Sequence, residues 1–435
     1  MFSPETIGII GFILLLALLA SGMPIGFALG FVGFSGMVLL LSLEAATIKV
    51  GVISFQMISH YELGVLPLFL LMAHVCFSSG ASRDFFDAAA RFWGHRRGGL
   101  AMASVGGCAG FGAVSGSSLA TAATMGLVAI PEMRKHNYSP KLAAGCVAAG
   151  GTVGSLIPPS GMLIVYGILT EQSIGKLFAA GVIPGVLQTV FYLITIVIIC
   201  NIRPELGPAI AKASWRDRIE AIKKTGDIFI LIVFVIGGLL IGWFTPTESG
   251  AVGATGAVLL GIVRKRLSFP AFQSAIIETL KTAGMLYVII IGAFVFSTFI
   301  AASGLAGSIS DLVLGGGDQP SQLRIILGVM LVYFILGMFL DGMAMMALTI
   351  PVFFPIIQAA GINGIWFGIL LVRAIEIALI TPPVGMNVFV IHGISKDIPL
   401  KTIFAGVIPF LIADFLHLAL LIALPIVVLV LPNLM

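Results

Sequence analysis

Apolar runs near the length of a membrane span recur from one end of the chain to the other, among them Ile9 to Leu19, Phe229 to Trp243, Met285 to Ile300 and Phe410 to Leu431. The polar stretches between them are short, and the longest, Asn201 to Thr225, is too short to fold alone. A helix needs about 20 apolar residues to cross a bilayer, so the pattern predicts about ten to twelve membrane-embedded segments. The predicted fold class is all-α: a polytopic membrane protein in which residues 1–435 form a single membrane domain. Three amphipathic stretches, Asp84 to Trp93, Trp215 to Lys224 and Phe269 to Lys281, are expected to lie along the cytoplasmic interface as scaffold helices.

The two halves of the chain repeat one another at an offset of about 224 residues, as transporter folds with internal symmetry do. Gly154-Ser-Leu-Ile-Pro-Pro-Ser-Gly-Met162 and Leu177-Phe-Ala-Ala-Gly-Val-Ile-Pro184 are answered by Ala378-Leu-Ile-Thr-Pro-Pro-Val-Gly-Met386 and Ile403-Phe-Ala-Gly-Val-Ile-Pro409. Ser115-Gly116 falls opposite Asp341-Gly342, Pro131 opposite Pro355, Ser79-Gly80 opposite Ser303-Gly304, and Pro24 opposite Pro246. The first repeat is placed at 1–202, a cytoplasmic linker at 203–225 and the second repeat at 226–435.

Lys and Arg accumulate on cytoplasmic loops. Arg91, Arg96 and Arg97 precede the Gly/Ser-rich stretch Gly112 to Ser118, and Arg134 and Lys135 follow it. A run that leaves and returns to one face is a re-entrant hairpin, here 98–134. Its counterpart, 323–359, has only Arg324 near its ends, which places them outside, so the two hairpins enter from opposite faces. Arg203 to Lys224, Arg264 to Arg266, Lys396 and Lys401 fall inside by the same rule. After each hairpin, a helix (140–170 and 363–393) is interrupted by Pro-Pro, which frees backbone carbonyls because proline cannot donate to the helical ladder and disfavours helix before it. Unwound backbone is tolerated at membrane depth only where protein buries it or it lines a wet cavity.

Composition agrees with this picture: 59% of residues are hydrophobic and 10% charged, with mean hydropathy +1.14. The net charge of +4 does not point to nucleic acid, because the basic residues sit in loops between apolar segments. Cys76, Cys108, Cys146 and Cys200 show no metal or disulfide spacing, and the N-terminal segment lacks signal-peptide features.

Two oxygen-rich clusters are expected to hold one Na+ each. In the first, Ser115, Ser117 and Ser118 face Gly154, Ile157 and Pro158; in the second, Asp341 and Gly342 face Ala378, Thr381, Met386 and Asn387. Ordinary interhelical hydrogen bonding is the alternative for the serines, and an N-cap role, compatible with cation binding, for Asp341. The helices that resume after Pro159 and Pro383 present free N–H groups suited to an anion. A carboxylate-bearing substrate is therefore expected near Ser117, Ser160, Gly161, Asp341, Pro383 and Gly385, with Arg373 as a further contact. Arg373 could instead neutralise Glu376, three residues on. His392 and His417 suit packing better than proton relay. HExxH, GxSxG and carboxylate-dyad patterns are absent from the sequence, which argues against an intramembrane enzyme, and opposed hairpins suit an occluded site better than a channel.

Six segments in order carry a resemblance to a known family: Gly112 to Ser118, Ile130 to Met133, Gly154 to Ser160, Ala180 to Gly185, Phe244 to Ser249 and Thr381 to Gly385. The chain resembles the large membrane subunit of tripartite ATP-independent periplasmic (TRAP) transporters. That resemblance implies an elevator-type sodium symporter in the bacterial inner membrane. It would take an organic acid, such as a C4-dicarboxylate, a sialic acid or a sugar acid, from a periplasmic substrate-binding protein. A separate small membrane subunit would brace its scaffold. A stand-alone cation-coupled carboxylate symporter is the alternative. Val384 stands where the first half has Ser160, so the two pockets are not equivalent.

Overall fold

The computed structural model describes residues 3–305, 307–308 and 321–435. Among the described residues every regular element is a helix. The first half contains α1 (Pro4–Ala20), α2 (Ile25–Leu40), α3 (Leu43–Ser59), α4 (Val65–Ser78) and α5 (Ala81–Trp93). A hairpin follows, α6 (Gly99–Ser115) and α7 (Ser118–Lys135), then two half-helices, α8 (Pro140–Thr152) and α9 (Gly161–Thr170), and the long α10 (Ile174–Ile202). The second half repeats the order with α11 (Trp215–Leu240), α12 (Pro246–Val263) and α13 (Phe269–Ser303). Its hairpin is α14 (Gln322–Gly337) and α15 (Gly342–Ala359), its half-helices are α16 (Gly364–Ala378) and α17 (Met386–Ile394), and α18 (Leu400–Ala423) and a single turn, α19 (Ile426–Leu429), end the chain.

Local chemistry sets these boundaries. Thr245 and Glu248 form a reciprocal capping box with Pro246 in the first turn of α12, so the Phe244 to Ser249 segment is a helix start. Among the described residues five helical stretches are long and apolar enough to cross a membrane, the hairpin arm α15 included, whereas Gly99–Ser115, Gly161–Thr170 and Gln322–Gly337 are apolar but shorter.

The halves pack reciprocally. From the first repeat, α2 lies against α13 of the second, so closely that a Cβ on Gly33 would stand 2.7 Å from the backbone nitrogen of Phe296. From the second repeat, α12 lies against α4 of the first, with Gly253 over the Met72 sulfur. Small residues let membrane helices approach and gain dispersion contact where no hydrophobic drive exists between them.

Contacts at the helix ends settle how the hairpins enter. Gly98 N donates to Gly207 O at 2.8 Å and Ser139 N to Leu206 O at 3.0 Å, which brings both ends of the first hairpin to the basic linker. Arg134 pairs with Asp397 just past α17, and Arg264 pairs with Asp84 and Asp227, so the basic segments share one face. At the other face, Gln322 Nε2 donates to Ala360 O at 3.2 Å and closes the ends of the second hairpin. Tyr166 Oη donates to Gly364 O at 2.6 Å, setting the start of α16 beside the far end of α9. The broken helices therefore run in opposite directions, and the hairpins enter from opposite faces.

Two of the three expected interfacial helices differ from expectation. The amphipathic stretch at Asp84 to Trp93 does form a separate helix, α5. Trp215 to Lys224 and Phe269 to Lys281 are instead the opening turns of α11 and α13, which continue unbroken into apolar sequence. Gly226 and Gly284 follow the two stretches, but neither adopts the left-handed conformation of a helix cap, so the helical ladder continues through both. Trp215 and Phe269 remain exposed at the helix starts.

Candidate transport site

The first hairpin turns on two residues. Gly116 adopts φ +59°, and Ser117 in extended backbone caps α7, its hydroxyl accepting from Ala120 N at 3.4 Å. Ser115 Oγ bonds Thr121 Oγ1 at 2.8 Å, tying the tip across its own turn. The tip meets the first helix break backbone to backbone: Gly161 N donates to Gly116 O at 3.2 Å, and a Cβ on Gly116 would stand 2.4 Å from Pro159 O. One helical arm is equally close, with a Cβ on Gly112 falling 2.4 Å from Gly154 Cα. Only glycine fits the left-handed conformation and the close approach together.

The second tip is built alike but charged. Asp341 caps α15, Oδ1 accepting from Met343 N at 2.9 Å and Ala344 N at 3.2 Å. Ser117 and Asp341 thus do the same job about 224 positions apart. Gly342 faces the Met162 methyl and Ile375, while Met343 reaches across to Gly161, so the second repeat's tip touches the helix that resumes after the first break. At the second break, Thr381 Oγ1 donates to Ile377 O at 2.6 Å and Asn387 N to Leu379 O at 3.0 Å.

Both tips, the first break and the start of the helix that resumes after the second break open onto one cavity of about 370 Å³. Ser115, Gly116, Ser117, Pro159, Gly161, Asp341, Met343 and Met386 line it, with Thr282, Met285 and Leu286 of α13 closing the side. Of the expected substrate contacts, Ser117, Gly161 and Asp341 stand in this wall. Ser160 is fully buried, donating to Ser155 O and capping α9, and Pro383 and Gly385 lie outside the wall.

The expected ligand clusters are distributed as follows. Ser115 and Ser117 converge with Gly154 around Thr121, Ser118 lies instead against Gly151, and Ile157 and Pro158 lie further along the same break, Ile157 against Gly185. In the second repeat, Ala378 packs under the hairpin arm at Gly337, and Asn387 is fully buried with its Nδ2 donating to Ala148 O of the first repeat at 3.2 Å. Ser155 Oγ and Asn387 Oδ1 are buried beside the two breaks without a hydrogen-bond partner. Such orphaned oxygens, together with hydroxyls, free carbonyls and one carboxylate, make a hard donor set that fits an alkali cation. Among the described residues no group of three or more His, Cys, Asp or Glu side chains forms a transition-metal site.

Arg373 and Glu376 do not form the expected helical pair. Arg373 is fully buried and pairs with Asp414 of α18, and both Glu376 oxygens are buried without a hydrogen-bond partner. Residues three apart on one helix share a face only approximately, and a carboxylate arriving from a neighbouring helix met the guanidinium instead. Arg373 stands outside the cavity wall. His417 is buried with Phe191 packed on its ring at 5.5 Å, and His392 Nδ1 lies 3.0 Å from Ile398 O. Sequence reasoning missed Thr121, Met343 and the α13 residues. Thr121 was within reach, one turn beyond Ser117 on the same arm; the α13 wall carries no local signal.

A pair of hairpins inserted from opposite faces, with their tips meeting around one cavity beside interrupted helices, defines a multi-pass membrane transporter of the inverted-repeat class. The chain belongs to the family described as "Tripartite ATP-independent periplasmic transporter, DctM component", whose model matches residues 12–427. It is 32% identical over 424 residues to the sialic acid TRAP transporter large permease protein SiaM of Vibrio cholerae, covering 96% of this chain and 97% of that protein. It is 35% identical over 403 residues to the C4-dicarboxylate TRAP transporter large permease protein DctM of Pseudomonas aeruginosa, covering 92% and 93%. The 2,3-diketo-L-gulonate TRAP transporter large permease protein YiaN of Escherichia coli is 30% identical, covering 94% and 95%. Among solved structures, the YdaH transporter of Alcanivorax borkumensis shares the fold with TM-score 0.68 at 16% identity, covering 98% of each chain. MtrF of Neisseria gonorrhoeae does so with TM-score 0.64 at 16% identity, covering 98% of this chain and 95% of that one.

Proposed function

We propose that this TRAP large permease subunit imports an organic acid across the bacterial inner membrane by sodium symport with elevator-type alternating access. The single observation that supports it most is the cavity shared by Ser117, Asp341, Pro159 of the first break and Met386 just past the second. Relatives named for sialic acid, C4-dicarboxylates and diketo-gulonate share a carboxylate among their substrates. The positive N-terminal end of α9 and the Ser117 hydroxyl, both at the cavity wall, suit that carboxylate. The first Na+ would be held by Ser115, Ser117, Ser118 and the carbonyls at Gly154, Ile157 and Pro158; the second by Asp341, Gly342 and the break from Ala378 to Asn387.

Two cations beside one substrate also answer the electrostatics. Each negative charge moved inward against a negative-inside potential costs about 2.3 kcal/mol per 100 mV, and each Na+ returns as much. Two Na+ drive a monocarboxylate electrogenically and only balance a dicarboxylate. The acid would arrive on a periplasmic binding protein, and a separate small membrane subunit would brace α2, α13, α4 and α12 while the hairpins and broken helices move.

The test is uptake into proteoliposomes holding the reconstituted permease, with the acid chosen by thermal-shift screening of the cognate binding protein. Uptake is expected only with an inward Na+ gradient and the loaded binding protein outside. Equal uptake without that protein rejects the tripartite reading in favour of a stand-alone symporter. Equal uptake from potassium medium rejects sodium coupling.

A further inference from the structure

On the basic face, away from the transport cavity, α8, α10 and α18 leave a groove of about 210 Å³. Its floor is apolar, formed by Ile198, Ile199, Ile202 and Pro409, and its rim carries Lys141 and Arg203. Ile198 and Ile202 are 52% and 73% exposed, on a helix long and apolar enough to span the bilayer, so the groove opens toward acyl chains rather than water. Gly406 sets its depth: a Cβ there would stand 2.1 Å from Lys141 O, so α18 and α8 touch by backbone and leave no side chain to fill the gap. Neither Lys141 nor Arg203 joins any ion pair among the described residues, although Arg134 and Arg264 on the same face are paired.

Two unpaired cations at the polar end of a lipid-facing apolar slot call for a ligand with a negative head and a hydrocarbon tail. We propose that this groove binds one anionic phospholipid of the leaflet on the basic face. Its phosphate lies between Lys141 and Arg203, and an acyl chain lies along Ile198 and Ile202. A basic pocket between helices at the cytoplasmic end of a bundle is where such head groups are held, and a lone cation on a flat surface would select no lipid. The lipid seats against the start of α8, the half-helix that leads into the first break, and so braces its outer end. This site is independent of the transported acid and of sodium.

The test is native mass spectrometry of the full chain, purified in delipidating detergent and titrated with phosphatidylglycerol or phosphatidylethanolamine. The wild type should retain one phosphatidylglycerol at concentrations where phosphatidylethanolamine leaves no adduct. Lys141→Gln with Arg203→Gln should weaken phosphatidylglycerol retention about tenfold or more. Ile199→Trp, which fills the slot and keeps both charges, should abolish the adduct, and it decides the matter if the double variant does not fold. Equal retention of the two lipids by the wild type, meaning adventitious lipid only, overturns the proposal. So does undiminished phosphatidylglycerol binding in Ile199→Trp, or a cross-link from Ile202→Cys to a helix of a co-purifying membrane subunit.

Discussion

The two repeats trace the same path through the protein with opposite chemistry. In the first, the hairpin tip offers neutral hydroxyls, α8 is small and apolar, and the neighbouring network is uncharged: Gln188 Nε2 donates to Thr152 Oγ1 at 2.8 Å, and Thr152 lies 3.0 Å from Tyr192 Oη. In the second, Asp341 stands at the tip, and α16 buries Arg373 and Glu376, with Asp414 and His417 arriving on α18. Ala149 and Thr152 of α8 occupy the positions about 224 residues before Arg373 and Glu376. Backbone geometry was therefore duplicated while charge was not. Ionisable groups at this depth are expensive to keep, and at these matching positions the second repeat carries that cost.

The sharpest way to break this comparison is at Asp341. Asp341→Ala should reduce Na+-dependent uptake at least about 100-fold while the protein still inserts. Asp341→Asn retains the N-cap, so it should match the wild type in thermal unfolding and still lose uptake. Full uptake in the Asn variant would mean that Asp341 acts as a helix cap alone.

Next in size is the buried pair. Arg373→Met alone leaves Asp414 uncompensated and should cost about 3–5 kcal/mol, read as a lower midpoint of thermal unfolding in detergent. Adding Asp414→Leu should recover most of that loss. If the single variant unfolds like the wild type, the pair is not what holds α16 to α18.

The two tips should then differ in their tolerance of a methyl group. Gly116→Ala forces a left-handed backbone and a clash with the Pro159 carbonyl, at about 1–3 kcal/mol. Gly342→Ala meets side chains instead, the flexible end of Met162 and the stiffer Ile375 Cγ2 at 2.7 Å, and should cost about 1–2 kcal/mol. Equal losses in the two would erase the distinction between a tip held by backbone and a tip held by side chains. The smallest effect on transport is expected for Ser115→Ala with Ser117→Ala, which removes a hydroxyl bond and a cap worth about 1 kcal/mol each. The Na+ concentration for half-maximal uptake should rise severalfold, and an unchanged titration would remove these serines from cation binding.

Much of this was written locally. Pro-Pro in each half predicted two helix breaks because proline cannot donate, and the breaks lie at 153–160 and 379–385. Arg134, Arg203 and Arg264 predicted a shared basic face, and the contacts among their segments place them together. Ser117 and Asp341 were legible as tip residues because each stands beside Gly in the turn of its repeat's hairpin, and the capping role was legible for Asp341. The partner of Arg373 was not legible, since Asp414 lies 41 residues away in sequence and only helix packing chooses between it and Glu376. The continuity of α11 and α13 was also misjudged, because amphipathic and apolar stretches join without a break.

By itself the sequence determined that the chain lies in a membrane, that it is built twice in opposite senses, and where its helices break. Those properties follow from apolar length, charge bias and the missing N–H of proline, all of which act within a few residues. Only the tertiary structure decided which oxygens face one cavity, that α13 closes its side, and that Arg373 meets Asp414. Proximity between helices is fixed by how side chains of distant segments fill shared space, and no local pattern encodes it.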